Sequence, residues 1–330
     1  MRIGIAYDLK SEAPPAPGEP DDYQEEFDSP LTIGAIAAVL RSLEHEVIRL
    51  GDGRELLERL LSDPPELVFN IAEGHGISRS REARVPAVLE MLGIPYTGSD
   101  PLTLAATLDK ECAKRLVQSV GVAVPRGTVV HPEQVRNDAE LEKLPYPVIV
   151  KPAWEGSSKG IRAQCVVDRP AEIGPAIASL RRDHRQPILV EEYIVGDELT
   201  AGVVGNTPPR VIGTMLVVPR QTQERFVYGL DVKRDFRRQV RYEFPGPLPP
   251  ERIATVEKAA LAAYRVLGCR DVARIDFRLR DGVPYFLEAN PLPGLNPESS
   301  DLVLLAQGYG WTYGAVIEAI LDAALKRQKR

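Results

Sequence analysis

Two segments near the end of the chain restrict its fold most: Ala273 to Leu279 (ARIDFRL) and Pro284 to Pro291 (PYFLEANP). The turn DGVP joins them, so they read as an antiparallel hairpin. Side chains alternate faces along a strand, which puts Glu288 with Asn290 on one strand and Arg274 with Asp276 on the other. Two carboxylates and an amide among apolar neighbours are costly as a bare core face. A hard divalent cation resolves the conflict, because carboxylate and amide oxygens are the ligands Mg²⁺ prefers, the rest coming from water and substrate phosphates. The alternative is a solvated hairpin face on which Arg274 neutralises an acid.

Such a hairpin needs a core behind it. A chain of 330 residues, 44% hydrophobic and 27% charged, can supply one, and its length is compatible with two domains or three small lobes. The net charge of −6 and pI near 5.5 leave no general basic field for nucleic acid, although a local basic pocket stays compatible with them. No apolar run reaches the ~18 residues of a membrane span, and MRIGIAYD has no signal-peptide pattern, so a cytoplasmic protein without a membrane partner is expected. Cys112, Cys165 and Cys269 lie too far apart for a disulfide framework or a CxxC zinc site and read as small buried hydrophobes. His45, His75, His131 and His184 are scattered, with no HExxH.

Along the chain, RIGIAY, EVIRL and ELVFNIAE read as strands, separated by helical patterning from Ser29-Pro30 through LTIGAIAAVLRSLE and followed by REARVPAVLEMLG. This alternation predicts a parallel α/β lobe. The Pro- and acid-rich stretch from Ser11 to Asp28 is too broken for a regular element, and IPYTGSDP reads as a boundary. DKECAKRLVQSVG is a predicted helix, and YPVIVKPA and IRAQCVV are predicted strands flanking WEGSSKG. A helix over AEIGPAIASLRRD and a strand over QPILVEEYI follow. Strands over DELTAGVVG and RVIGTMLVVP precede the hairpin, with the helix ERIATVEKAALAAYRVLG between them and it, and TYGAVIEAILDAALKRQ closes the chain. The polar stretch between Val218 and Pro245 has the profile of a surface loop.

Lys151 follows an apolar strand and precedes the loop Glu155-Gly156-Ser157-Ser158-Lys159-Gly160. A lysine at a strand end beside a Gly/Ser loop suits phosphate, which takes hydrogen bonds from backbone N–H groups and hydroxyls and a point charge from the lysine. An ordinary hairpin turn is the alternative, and no GxxxxGK[ST] occurs. The loop also matches GxSxG, but the hydrolase elbow needs a helix after its serine, and a strand is expected here. Glu191 and Glu198, at a polar hinge, read either as an exposed acidic hairpin or as acceptors for ribose hydroxyls.

The order DK, VIVKPA, EGSS, EEYIVGDE, RIDF and FLEANPLPG, at these intervals, resembles the ATP-grasp superfamily and, more closely, D-alanine–D-alanine ligases. The resemblance runs from RIGIAY to the terminal helix, thinning between 10 and 30 and between 220 and 245. It implies an α/β fold of three lobes: a parallel α/β lobe (1–98), a central α+β lobe (99–190) and an antiparallel-sheet lobe (191–330). It implies ATP between the second and third lobes. Lys110 and Lys151 would hold phosphates within a binding loop of Glu155, Ser157 and Ser158; Glu191 and Ile194 would lie at the adenine hinge, and Glu198 at the ribose. Asp276, Glu288 and Asn290 would bind two Mg²⁺, with Mn²⁺ as a substitute. Arg274 and the backbone of Gly294 would stabilise the oxyanion, Ser299 would hold the second amino acid's carboxylate, and Lys233 would close over the γ-phosphate with Ser157 nearby. The implied reaction makes an acyl phosphate from one amino acid and ATP, and the amine of the other then displaces phosphate, as in peptidoglycan synthesis. A homodimer is the implied assembly.

Two positions depart from the family pattern. Asp28 falls where a glutamate holds the first substrate's ammonium, and Lys233-Arg234 replaces Lys-Tyr on the mobile loop. Arg234 would bridge to Asp28, pair with an extra carboxylate on a non-alanine substrate, or simply be solvated. The alternatives to a D-alanine ligase are a peptide or amide ligase of specialised metabolism and a non-catalytic ATP-binding module.

Overall fold

The structure is a computed structural model that describes residues 1–13, 18–133, 137–221, 223 and 225–328. Three sheets organise it. In the first, β1 (Arg2–Ala6), β2 (Glu46–Gly51) and β3 (Leu67–Asn70) lie parallel in the order β2-β1-β3. In the second, β4 (Gly127–Val130), β5 (Val148–Pro152), β6 (Val166–Val167) and β7 (Ile188–Glu192) are antiparallel in the order β4-β7-β5-β6. The third holds β8 (Asp197–Val204), β9 (Arg210–Pro219), β10 (Val240–Glu243), β11 (Val272–Arg280) and β12 (Val283–Asn290), antiparallel in the order β10-β9-β8-β11-β12.

The helix Pro30–Ser42 begins where the sequence signals it: Ser29 is extended, its Oγ accepts from the Thr32 N–H, and Pro30 occupies the first helical position. It buries Ile36, Ala37 and Leu40 against Ile3, Ile5 and Phe69 of the parallel sheet. The last helix, Tyr313–Gln328, packs into that same core through Ile317, Ile320 and Leu321. Behind the third sheet the helix Pro250–Val266 covers Leu199, Ala201, Ile275 and Phe277, so that sheet has one apolar face and turns the other to the cleft. The helix Pro170–His184 does the same for the second sheet, over Val148, Val150 and Val190.

Two expectations fail. IRAQCVV is not a strand: Ala163–Cys165 forms a 3₁₀ turn, with the Cys165 thiol donating to the Gly160 carbonyl, and only Val166–Val167 joins the sheet. Arg162 is held instead by Asp21 and Asp231. The stretch after Val218 is not a bare loop. It carries the helices Leu230–Arg234 and Phe236–Gln239 and the edge strand β10, because Phe226, Tyr228, Phe236 and Tyr242 pack around Met215, Val217 and Leu305. The Ser11 to Asp28 stretch lies partly outside the described residues, at 14–17; the described remainder forms turns and one bridge between Leu9 and Asp28. Among the described residues, no helix is long and apolar enough to cross a membrane.

Candidate active site

Strands β11 and β12 pair so that Asp276 lies opposite Glu288 and Arg274 opposite Asn290. All four face the cleft. A bulge makes this possible: the register shifts after Asp276, leaving Leu287 unpaired, and Phe277 then lies opposite Phe286. Strict alternation would put Phe286 on the face of Glu288. With the bulge, Phe286 is fully buried edge-on to Phe277, ring centroids 6.1 Å apart, while Glu288 turns outward. The next strand extends the polar face. Thr200 opposes Asp276 and donates to its Oδ1 at 2.6 Å, and Glu198 opposes Arg278 in an ion pair of 2.6 Å.

The second sheet supplies cations. Val148 and Val150 point into the core, so Ile149 and Lys151 face the cleft. Lys151 meets Glu191 at 2.7 Å, and Lys114 reaches the other oxygen of Glu191 at 3.1 Å. Burial opposes ionisation of Glu191, but the two lysines outweigh it and hold its carboxyl below the usual range. Lys110, first residue of the helix Lys110–Ser119, donates to the Glu155 carbonyl and lies 3.2 Å from Glu288. Burial would raise Glu288, yet Lys110, Lys151, Lys233 and Arg274 keep it well below the usual carboxylate value. Burial lowers Lys114 to about 8 despite Glu191.

The loop Glu155 to Gly160 carries Ser157 and Ser158 in left-handed backbone, at φ 48° and 58°. Such conformations cost about 1–3 kcal/mol each and persist only where surroundings impose them. Here the surroundings are a buried ionic cluster. Arg81 donates to both oxygens of Glu26 at 2.7 and 2.8 Å, to Glu155 at 3.1 Å and to the Trp154 carbonyl at 2.7 Å. Glu26 accepts from the Gly156 N–H at 2.7 Å, and Lys159 meets Glu155 at 2.7 Å.

Two adjoining cavities meet at Lys233, Tyr228, Glu288 and Asp301. The larger, about 320 Å³, is lined by Asp28, Lys110, Glu155, Ser157, Asn290 and Ser299, with Arg274 and Gly294 also on its wall. The smaller, about 80 Å³, is lined by Lys151, Ser158, Glu191, Ile194, Glu198 and Asp276. Every site residue expected from sequence therefore lines one of these two cavities, except Arg234. Arg234 does not reach Asp28: it pairs with Glu25 at 2.6 Å and Asp21 at 3.0 Å, closing the gap with different carboxylates. Asp28 faces the large cavity; burial and the nearby Asp8 carboxylate push it up to about 7 against a hydrogen bond from Thr32.

The donor set of Asp276, Glu288 and Asn290 is all oxygen, is pre-aligned on one face and is surrounded by cations suited to phosphate, so it fits a hard divalent ion carrying a nucleotide's phosphates. Comparison with known proteins agrees with this chemistry. The family model described as D-ala D-ala ligase C-terminus matches residues 116–322. A D-alanine–D-alanine ligase of Anaeromyxobacter dehalogenans is 34% identical over 299 residues, spanning 89% of this chain and 92% of the relative. The chain belongs to the D-alanine–D-alanine ligase family. A ligase of that name from Ralstonia nicotianae is 37% identical over 306 residues, covering 86% of this chain and 89% of the relative. The Bacillus anthracis D-alanine–D-alanine ligase complexed with ATP superposes with a TM-score of 0.75 over 100% of this chain and 99% of its own, at 24% identity, a likeness of fold. This chain is an ATP-grasp enzyme, an ATP-dependent ligase that forms an amide bond, acts on small molecules and uses a divalent metal.

Sequence reading of this ligase overlooks Glu26, Arg81, Lys114, Tyr228, Arg278 and Asp301. Lys114 left a signal, since it stands one helical turn after Lys110 and on the same face. Asp301 opens the helix Asp301–Gly308, accepts from the Tyr228 hydroxyl at 2.9 Å and lies 3.4 Å from Arg274. Arg81 left none; its partners are 55 and 74 residues away.

The raised carboxyls have a consequence for stability. Asp28 is pushed up to about 7, and burial, only partly offset by Arg81, pushes Glu82 up to about 8. Each keeps a proton in the folded ligase that the unfolded chain releases near 4, so stability falls as pH rises through the window between. Glu191 and Glu288, shifted downward, act only below that window. The melting temperature of the ligand-free ligase is expected to fall from pH 5 to pH 7. Thermal melts in matched buffers check this; a rise over that range contradicts it.

Proposed function

We propose that this ligase joins two amino acids head to tail, with D-alanine–D-alanine ligation as the reference reaction. The observation that carries the reading is the cross-strand placement of Asp276 against Glu288, at the junction of a lysine-lined cavity and a second cavity large enough for a small substrate. Asp276, Glu288 and Asn290 would hold two Mg²⁺, whose chemistry when bound is to neutralise phosphate charge. Lys110 and Lys151 add point charges to the β- and γ-phosphates, and the N–H groups of the Ser157–Ser158 turn add donors.

In the first step a substrate carboxylate attacks the γ-phosphorus, an O–P bond forms, and the bond to the β-phosphate breaks to release ADP. In the second the amine of the other amino acid attacks the acyl carbon, loses a proton, and the C–O bond to phosphate breaks. Arg274, held by Asp276 at 2.9 Å and Asp301 at 3.4 Å on the wall of the larger cavity, would meet the negative charge that develops on the carbonyl oxygen. Glu191 and Ile194 would face adenine, Glu198 the ribose, and Ser299 the second carboxylate. The Tyr228 to Gln239 segment, clasped to Asp21 and Glu25 through Arg234, would keep water from the acyl phosphate. The reading places the enzyme in the cytoplasm, where ATP and Mg²⁺ are available, as a homodimer that sedimentation would check.

The test is incubation with ATP, Mg²⁺ and a panel of D- and L-amino acids, with phosphate assayed and products read by mass spectrometry. ADP release with formation of a dipeptide is expected; no ADP release with any pair refutes the reading. A non-alanine substrate is the second reading, favoured by the Asp28 departure and by the charge of the larger cavity.

A further inference from the structure

The larger cavity holds more negative charge than an alanine can meet. Each of its cations is committed elsewhere: Lys110 to the Glu155 carbonyl and Glu288, Arg274 to Asp276 and Asp301, Lys233 to Asp301 at 4.0 Å, and Lys10 to Glu25 at 3.8 Å. Arg81, behind the wall, is saturated by Glu26 and Glu155. Three carboxylates on the wall, Asp28, Glu73 and Glu82, have no cation within 4 Å among the described residues. Glu82 is only 7% exposed, makes no side-chain hydrogen bond among the described residues, and lines the cavity.

The backbone builds Glu73 and Glu82 as neighbours. Gly74, at φ +80°, lies so close to the Arg81 carbonyl that a Cβ would meet its oxygen at 2.6 Å, which only glycine permits. Arg84 donates to the His75 carbonyl at 2.7 Å and braces the same two segments. One ammonium, the α-amine of any amino acid, satisfies one carboxylate, in the way expected of Asp28. Glu73 and Glu82 remain over. A buried carboxylate is stable as an ion only beside a cation. Burial and mutual repulsion accordingly raise Glu73 well above the usual range, and Arg81 and Lys110 act on Glu82 only at longer range.

Resting on the ligase reading, we propose that the first-substrate pocket is built for an amino acid with a second cationic group on its side chain, a diamino acid, and that Glu73 and Glu82 receive that group. Both residues then determine specificity, and Asp28 serves the α-amine common to all substrates.

The test uses the full-length enzyme with ATP, Mg²⁺ and D- and L-forms of alanine, 2,3-diaminopropionate, 2,4-diaminobutyrate, ornithine and lysine. At least one diamino acid is expected to exceed both alanines in kcat/KM by about a hundredfold or more, because a site made for a polar group rejects the analogue lacking it. In E73Q and E82Q that ratio should fall at least about tenfold. Being taken within one preparation, it is unaffected by any loss of folded enzyme. Calorimetry of the preferred diamino acid at pH 7, in buffers of different ionisation enthalpy, should show protons released on binding, and fewer in E82Q. Fragmentation of the product should place the diamino acid at its amino end. Alanine turned over as well as every diamino acid, an unchanged ratio in both variants, or the diamino acid at the carboxyl end would each overturn the inference and leave the ligase intact. No turnover of any amino acid would overturn both.

Discussion

Replacing Glu288 by glutamine is expected to lower kcat by about 10²–10³-fold, the scale seen when one preorganised electrostatic group is removed from a transition state. The amide keeps the shape and removes the charge. Glu288 is the carboxylate nearest Lys110, at 3.2 Å, and faces Asp276 across the strands. Without it the concentration of cations from Lys110, Lys151, Lys233 and Arg274 opposes a divalent ion instead of balancing it. The Mg²⁺ concentration for half-maximal rate should rise together with the fall in kcat, and circular dichroism should be unchanged, since Lys110 keeps the Glu155 carbonyl. Steady-state kinetics across a Mg²⁺ series decide it. An unaltered rate and Mg²⁺ dependence would remove Glu288 from the metal site.

Arg81→Met should be the most destabilising single change outside the apolar core, by about 3–5 kcal/mol, because it leaves buried carboxylates without their partner. Arg81 is 2% exposed and bonds Glu26, Glu155 and the Trp154 carbonyl at once. Among the described residues, Lys159 would be the one cation left for the two acids. The loss also releases the link between the first sheet's loops and the Glu155 to Gly160 turn, so ATP affinity should fall along with stability. Urea unfolding measures the first, and a second change, Glu26→Gln, in the same chain should restore part of it. A loss below about 1 kcal/mol would show that the cluster does not hold the loop.

Much of the site was legible before the fold. The alternation in RIDF and FLEAN marks Arg274, Asp276, Glu288 and Asn290 as residues of one chemistry, since period-2 patterning is local and survives in the string. Lys151 and Glu191 are marked likewise by the apolar runs they end. The helices Gly53–Ser62, Pro101–Leu108 and Asp301–Gly308 and the strand β4 leave little trace in the sequence, being short and weakly punctuated. The segment after Val218 misled because its aromatic residues are interleaved with charges and find their partners only across a fold. The bridge from Arg234 to Asp28 does not form, because Arg234 is taken by Asp21 and Glu25, 213 and 209 residues away in a stretch without periodicity.

The sequence by itself determined which side chains are available for the proposed chemistry and the order in which the chain presents them, because side-chain type and strand alternation are local properties. Only the tertiary structure decided which oxygens face one another and which charges go unanswered. The bulge at Leu287 turns Glu288 to the cleft while Phe286 stays in the core. Arg81 is consumed by Glu26 and Glu155, leaving Glu73 and Glu82 on the cavity wall without a counter-ion within 4 Å among the described residues. Register and charge balance are sums over partners far apart in the chain, and folding alone brings those partners together.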